Sequence, residues 1–534
     1  MAKYVIVVGS SVTNVGKGVI VGSLGRLFKN RGLKVDVLKF DPCLNVDFGT
    51  MSPYQHGEVF VTNDGTDCDL DIGHYERFLD VALSKENNVT VGRLFTDVIN
   101  KERQGKYVGA SVQSIPHVSA EAKEHMLALG NTDADIVLVE VGGTLNDSET
   151  SILLDAVRTL RTEVGTQNVF IVLADILPRI EVIHENKVEA LQTSVKLLNV
   201  LGLQPNALVC RTKSNVKFTD DVKARIARRC YLNGAEYVIQ EPDVETIYEV
   251  PLTFQAQGFD SLILKYFGIK ENPIDLNSWQ FMVNNFKSNY QELRVCIVGK
   301  YTKVPDAYIS VEEAIRHAAS FNHVKAKVDL IDAEDIEEFG VDRFLRGAKA
   351  IIVPSGWGNR GVDGMIKAIG YARENKIPYL GINYGMELAA IEFARNVMGI
   401  KGANTTEVDP QTEFPVIDIM EEQKKLVLNG KTMRVGAFNC ALDPNSMSAK
   451  LYGSELISER HRHRYEFNSA FYERFEKEGM VVAGMNPETK LVEILELKNH
   501  PFFIGTIFVP EMLSRPNKPH PLFLGLLNAA KSVR

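Results

Sequence analysis

YVIVVGSSVTNVGKGVIVGSLGRLFKNRG (4–32) opens on a β-branched run, crosses a Gly-rich turn and continues with apolar residues at helical spacing. A strand, a glycine loop and a helix in that order build a phosphate-gripping corner of an α/β sheet. Within it, GSSVTNVGKG (9–18) is a deviant phosphate loop. The backbone of Ser11, Val12, Thr13, Asn14, Val15 and Gly16 and the helix N-terminus would cradle phosphates, and Lys17 would neutralise them. Gly18 follows the lysine, where the common form of the loop has Ser or Thr. Taken alone, the pattern also fits a bare strand-to-helix turn.

Working outward, LKVDVLKF (33–40), DIVLVEVGG (135–143), NVFIVLAD (168–175) and NALVCR (206–211) read as further strands. Continuous apolar runs of this kind suit a parallel sheet covered on both faces. Lys39 and Asp41 end one of these strands and Glu140 another, where open α/β sheets bind ligands. Asp69 and Asp71 alternate in DLDIGHYERF, so they face opposite ways if that piece is extended. The Asn-rich stretch 267–292 reads as a linker between a first domain, 1–266, and a second, 293–534. The second restarts an α/β pattern with LRVCIVGKY (293–301), AKAIIVPSG (348–356) and KIPYLGIN (376–383). IPYLGINYGMELAA (377–390) has the shape of a strand, a sharp turn and a helix, with Asn383 at the turn.

At 534 residues the chain suits two domains, and 45% apolar with 24% charged residues is ordinary for a globular protein. A net charge of −8 argues against a nucleic-acid surface. Cys43, Cys68, Cys210, Cys230, Cys296 and Cys440 lack metal-ligand spacing and read as reduced thiols of a cytoplasmic protein. The chain opens directly into a strand rather than a signal peptide, and no apolar run reaches the ~20 residues of a membrane helix.

Several long runs closely resemble the CTP synthase family over nearly the whole chain. They are residues 39–78, 92–117, VEVGGTLNDSET (139–150), PDVETIYEVP (242–251), ERHRHRYEFN (459–468) and SRPNKPHPLF (514–523). The resemblance implies an α/β protein of two domains: a P-loop-type parallel-sheet synthetase domain and a class I glutaminase-like domain. It implies a ligase that phosphorylates the uracil 4-oxygen of UTP with ATP and displaces the phosphate with ammonia. It places Lys17 and Lys39 at the transferring phosphates and Asp71 and Glu140 on Mg²⁺. Arg211 and Asp243, Val244 and Glu245 would contact ATP, the latter three around adenine. Lys187, Gln192, Arg225, Asp147 and Glu149 would bind the acceptor. Pro53, His56 and Val59 would lie at the ammonia entrance, and the protein would be a homo-oligomer, a tetramer by family habit.

The departures from the family pattern carry as much information. Thr13 and Asn14 replace two serines, and both still form hydrogen bonds. The family's UTP segment, Lys-Thr-Lys-Pro-Thr-Gln-His-Ser, here runs from Lys187 to Ser194 with Glu189 at a cation's place. A carboxylate beside a triphosphate reverses an attraction, so the acceptor is expected not to be UTP held in the usual way. Class I glutaminases present a Cys thiolate at the strand–turn–helix elbow; this chain presents Asn383, whose amide is no nucleophile. In IGTIFVPE (504–511), Val509 stands for the general base, a His, although its orienter Glu511 remains. Ser355 and Glu387 replace a Gly and a Gln, whereas Glu407 and Arg464 are kept. The glutaminase half is therefore expected to be inactive. Three readings follow: an ATP-dependent C–N ligase using free ammonia or another amine, on UTP or on an altered carbonyl or carboxylate acceptor; an inactive paralogue regulating a true CTP synthase; or a metabolite-binding module.

Overall fold

A computed structural model describes residues 2–177, 179, 180, 185, 186, 188–214, 216–419 and 433–533. They form two compact units, Met1–Phe48 with Asp71–Lys287, and Gly49–Leu70 with Ser288–Arg534. The expected division at 266 thus shifts in two places. Residues 49–70 group with the second unit, and most of the expected linker belongs to the first.

The first unit holds a seven-stranded sheet in the order Val238–Pro242, Ala207–Thr212, Val169–Ile176, Lys3–Gly9, Ile136–Val141, Val35–Asp41 and Asn88–Thr90. Every neighbouring pair is parallel. Val5, Ile6 and Val7 are fully buried, as helices on both faces require. Register fixes what lies at the strand ends: Lys39 is opposite Glu140, and Glu140 is opposite Val7. The helix Lys17–Asn30 starts where the first strand's loop ends. DLDIGHYERF is not extended; Leu70–Leu79 is helical, with Asp71 in its first turn.

The stretch taken as a linker contains the helix Asn277–Lys287. Trp279, Met282 and Val283 recur at i, i+3 and i+4 and are its buried residues, giving it an apolar face that a linker would lack. Trp279 is fully buried, donates from Nε1 to the Tyr248 carbonyl at 2.8 Å and lies under the Arg26 guanidinium at 4.9 Å. Trp279→Ala is expected to cost the first unit about 3–5 kcal/mol. Equilibrium urea unfolding checks this; a loss under about 1 kcal/mol would show the helix to be dispensable packing.

The second unit has a nine-stranded sheet in the order Val324–Asp332, Gln291–Gly299, Ala350–Val353, Tyr379–Ile382, Phe503–Thr506, Val492–Leu497, Met480–Met485, Arg434–Leu442 and Leu456–His463. The first five strands pair in parallel and the rest antiparallel. All six cysteines are free, and among the described residues no helix is long and apolar enough to cross a membrane.

Candidate active sites

In the first unit the phosphate loop leaves the central strand with two left-handed residues, Asn14 at φ 58° and Gly16 at φ 86°. Val12, Thr13 and Asn14 are exposed, Ser11 and Gly16 half-buried, and Val15 is buried beneath them. Lys17 folds back and donates to the Gly143 carbonyl at 2.7 Å. Burial lowers its pKa, against the pull of Glu140. A Cβ on Gly18 would lie 2.2 Å from Asp71 Oδ1. The missing Ser or Thr therefore has a steric reason: the Asp71 carboxylate fills the space beside the loop lysine.

Lys39 gathers the acids. Its ammonium donates to Asp71, and lies 3.4 Å from Glu140 and 3.8 Å from Asp41. Burial pushes the Asp71 carboxyl up, but Lys39 and His74 outweigh it and hold the group below its usual value. Burial and Asp71 raise Glu140, whose other oxygen accepts from Tyr75 Oη. Two carboxylates converging beside a phosphate loop are oxygen donors of the kind Mg²⁺ takes. Lys17, Lys39, Asp71 and Glu140, expected together from separate stretches, thus share one cluster.

Arg211 reaches the loop, donating to the Asn14 carbonyl at 3.2 Å, and pairs with Asp243 at 3.3 Å. Val244 is half-buried and Glu245 exposed beyond the same edge strand. Sequence reasoning missed Glu241, the penultimate residue of the edge strand Val238–Pro242. It is buried, one carboxylate oxygen has no partner, and a Cβ on Gly16 would sit 3.4 Å from the other. Burial pushes its pKa from 4.5 to about 8. Between those values the folded chain keeps a proton that the unfolded chain has lost, so stability is fullest below about pH 4.5 and falls as pH rises to about 8. The slope reaches about 1.4 kcal/mol per pH unit. Glu241→Gln is expected to remove it, so the melting-temperature gap between variant and parent should widen from pH 5 to 8; parallel profiles would contradict this.

The acceptor segment is only partly brought together. Lys187 lies outside the described residues. Glu189 opens the helix Val188–Val200 and pairs at the surface with Arg229 at 2.6 Å. Arg225 is exposed one turn before Arg229 on the helix Asp220–Arg229, and Gln192 is half-buried. Asp147 accepts from the Thr144 backbone at 2.6 Å, and Glu149 from Ser148 Oγ at 2.8 Å.

In the second unit the elbow forms as its glycines require. Cβ atoms would lie 2.7 Å from the Gly385 carbonyl at Gly381 and 2.0 Å from the Val353 carbonyl at Gly385. Asn383 sits at the apex with φ 55° and ψ −108°, a strained conformation costing of order 1–3 kcal/mol. Its amide is fully engaged. Oδ1 accepts from the Tyr384 backbone at 2.9 Å, and Nδ2 donates to the carbonyls of Arg462 and Ile507 at 3.2 and 3.1 Å.

Asn383 lines a cavity of about 390 Å³, as do Ser355, Glu387, Val509, Glu511 and His463. Glu511 is buried with Oε2 unpartnered; burial, then Glu58, pushes its pKa well up. Glu387 is in the same condition, with burial and Glu407 as the causes. Glu407 accepts from the Gly358 backbone at 2.7 Å, and Arg464 is exposed. Pro53 and Val59 line the cavity; His56 is exposed and does not. Lys300, unremarked in the sequence, donates to the carbonyls of Trp357 and Gly358, and burial lowers its pKa to about 8.

A parallel sheet carrying a lysine-bearing phosphate loop, followed in one chain by an elbow-bearing α/β sheet, defines a synthetase joined to a class I glutaminase domain. Residues 3–269 match the family described as CTP synthase N-terminus, and residues 303–529 the family described as glutamine amidotransferase class-I. A protein of Clostridium acetobutylicum named CTP synthase is 47% identical, covering 100% of this chain and 99% of that protein. One of Bacillus subtilis with the same name is 45% identical, covering 99% of each. A solved structure, the Trypanosoma brucei CTPS glutaminase domain with bound acivicin, is 35% identical over 45% of this chain and 95% of that one, with a TM-score of 0.43. The chain belongs to the CTP synthase family.

Proposed function

We propose that this protein is an ATP-dependent C–N ligase of the CTP synthase type that takes free ammonia, or another small amine, in place of glutamine. The observation that carries the reading is the elbow. Asn383 occupies the nucleophile's position with both ends of its amide bonded to backbone. Val509 is apolar where a base would act, and Glu511 keeps a buried oxygen with no donor to receive. Without a thiolate or a base, the glutamine amide cannot be opened by the covalent route.

The first unit supports the ligase half. The γ-phosphoryl group would pass from ATP to the acceptor's carbonyl oxygen, releasing ADP. Ammonia's lone pair would then add to that carbon, phosphate would leave with the bonding pair, and nitrogen would lose a proton. Lys17 at the loop and Lys39 beside it would hold the phosphate oxygens through charge-assisted hydrogen bonds. Asp71 and Glu140 would hold Mg²⁺, which supplies charge neutralisation on the transferring phosphoryl group. The Arg211–Asp243 edge would receive the rest of ATP.

UTP is the acceptor this reading favours, because the Glu189 charge is already met by Arg229 at the surface. A less anionic acceptor is the second reading, supported by that carboxylate standing where the family has a cation. A homotetramer belongs to the same proposal, and light scattering with ATP present tests it. For the glutaminase half, the full-length protein with ATP, Mg²⁺, UTP and glutamine should release no glutamate above a buffer blank. Release that disappears in Glu511→Gln would overturn the reading.

A further inference from the structure

Four buried polar atoms without partners belong to residues around the second unit's cavity: Glu387 Oε2, Glu511 Oε2, Ser355 Oγ and His463 Nδ1. Glu387, Glu511 and His463 are each 3% exposed. His463 bonds through Nε2 to Glu466 at 2.8 Å, and the Glu466 carboxyl is held below its usual value, against burial, by His463 and Arg434. His463 thus faces Glu466 through Nε2 and leaves Nδ1 without a partner at the cavity. A buried polar atom without a partner is destabilising. Four such atoms around one cavity describe a site built for a donor-rich occupant.

Two cations near the cavity, Lys300 and Arg462, are committed elsewhere, and a third, Arg464, lines it with an exposed side chain. The Lys300 ammonium bonds to the Trp357 and Gly358 carbonyls and lies 4.4 Å from the Tyr384 ring centre. Arg462 is held by Asp67 at 2.7 Å and by the Gly49 carbonyl at 3.2 Å. The carboxyls fall into two neighbourhoods, Glu387 with Glu407 and Glu466, and Glu511 with Glu58 and Glu459. A volume of about 390 Å³ exceeds the needs of ammonium and falls in the range of small-ligand sites.

We propose that this cavity reversibly binds a small organic amine in its ammonium form, with Glu387 and Glu511 as the receiving carboxylates. The inference rests on the reading that the elbow carries no nucleophile, so the occupant is held and not cleaved. An ammonium ion has donors and no acceptor, which matches the unpartnered oxygens. A neutral amide offers an acceptor beside its two donors and no charge for the carboxylates to meet, so glutamine is the competitor in the test. Seating the cation ionises a carboxyl that burial otherwise keeps protonated, so binding expels a proton.

Calorimetric titration of the full-length protein with 1,4-diaminobutane and L-ornithine tests this, with L-glutamine and L-glutamate in parallel and each run in two buffers of different ionisation enthalpy. The expected result is saturable amine binding with net proton release, at least 10-fold tighter than glutamine, and weakened at least 10-fold in Glu387→Gln. Glu511→Gln is the second variant should the first fail to fold, as judged by near-UV circular dichroism. No saturable amine binding at millimolar concentration, binding indifferent to the folded variant, or glutamine binding tighter than both amines would overturn the proposal. Glutamate measured in the glutamine samples separates the two claims. Its release contradicts the proposed function, whereas absent amine binding without glutamate contradicts only the amine site.

Discussion

Lys17→Ala lowers kcat/KM for ATP by roughly 10- to 160-fold, the loss expected when a charge-assisted hydrogen bond worth about 1.5–3 kcal/mol is removed from a phosphate. Three observations set this expectation. Lys17 opens the helix behind the loop, its ammonium donates to the Gly143 carbonyl, and Asp71 stands beside it in the space that Gly18 leaves free. Lys17→Arg, with a different reach and a planar head, should recover little. Steady-state turnover with a coupled ADP assay gives the number. Parent-like kinetics in Lys17→Ala would reduce 9–18 to a structural turn.

Asn383→Cys does not by itself create a glutaminase. The thiol would lack a base, since Val509 is apolar, and the carbonyls of Arg462 and Ile507 would lose the donor they now share. Adding Val509→His places an imidazole near the unpartnered Glu511 oxygen, and the double variant is expected to release glutamate where each single variant releases none. Such behaviour is what groups acting as a unit show. Discontinuous glutamate assays decide it. Equal activity in Asn383→Cys alone would mean another base serves the elbow, and His463, with its bare Nδ1 at the same cavity, would be the residue to mutate next.

Much of this was legible in the chain because it is local. The glycines of 9–18 and 381–385 impose their turns whatever surrounds them, and the long apolar runs read directly as buried parallel strands. What was not legible depends on register and distance. Asn88–Thr90 is a three-residue edge strand, too short for a pattern. In Leu456–His463 the run ERHRH gives no sign that Arg460 and His461 are fully buried, with hydrogen-bond partners, Asn63 and Glu493, distant in sequence. The Asn-rich stretch hid the helix Asn277–Lys287 because only Trp279, Met282 and Val283 mark its apolar face. Glu241 looked like any strand-end acid until the fold set it against Gly16 and the loop. The Glu189 argument shows the converse. Glu189 stands out in the sequence, but its ion-pair partner Arg229, forty residues away, does not.

The most direct measurement is the nitrogen dependence of turnover. Full-length protein is supplied with ATP, Mg²⁺ and UTP at slightly alkaline pH, and ADP and CTP are followed with ammonium or with glutamine as the sole nitrogen source. The account predicts ammonium-dependent ADP release, with CTP appearing if UTP is the acceptor, and no turnover above the nitrogen-free blank with glutamine. Turnover supported by glutamine, or none with ammonium, would contradict it.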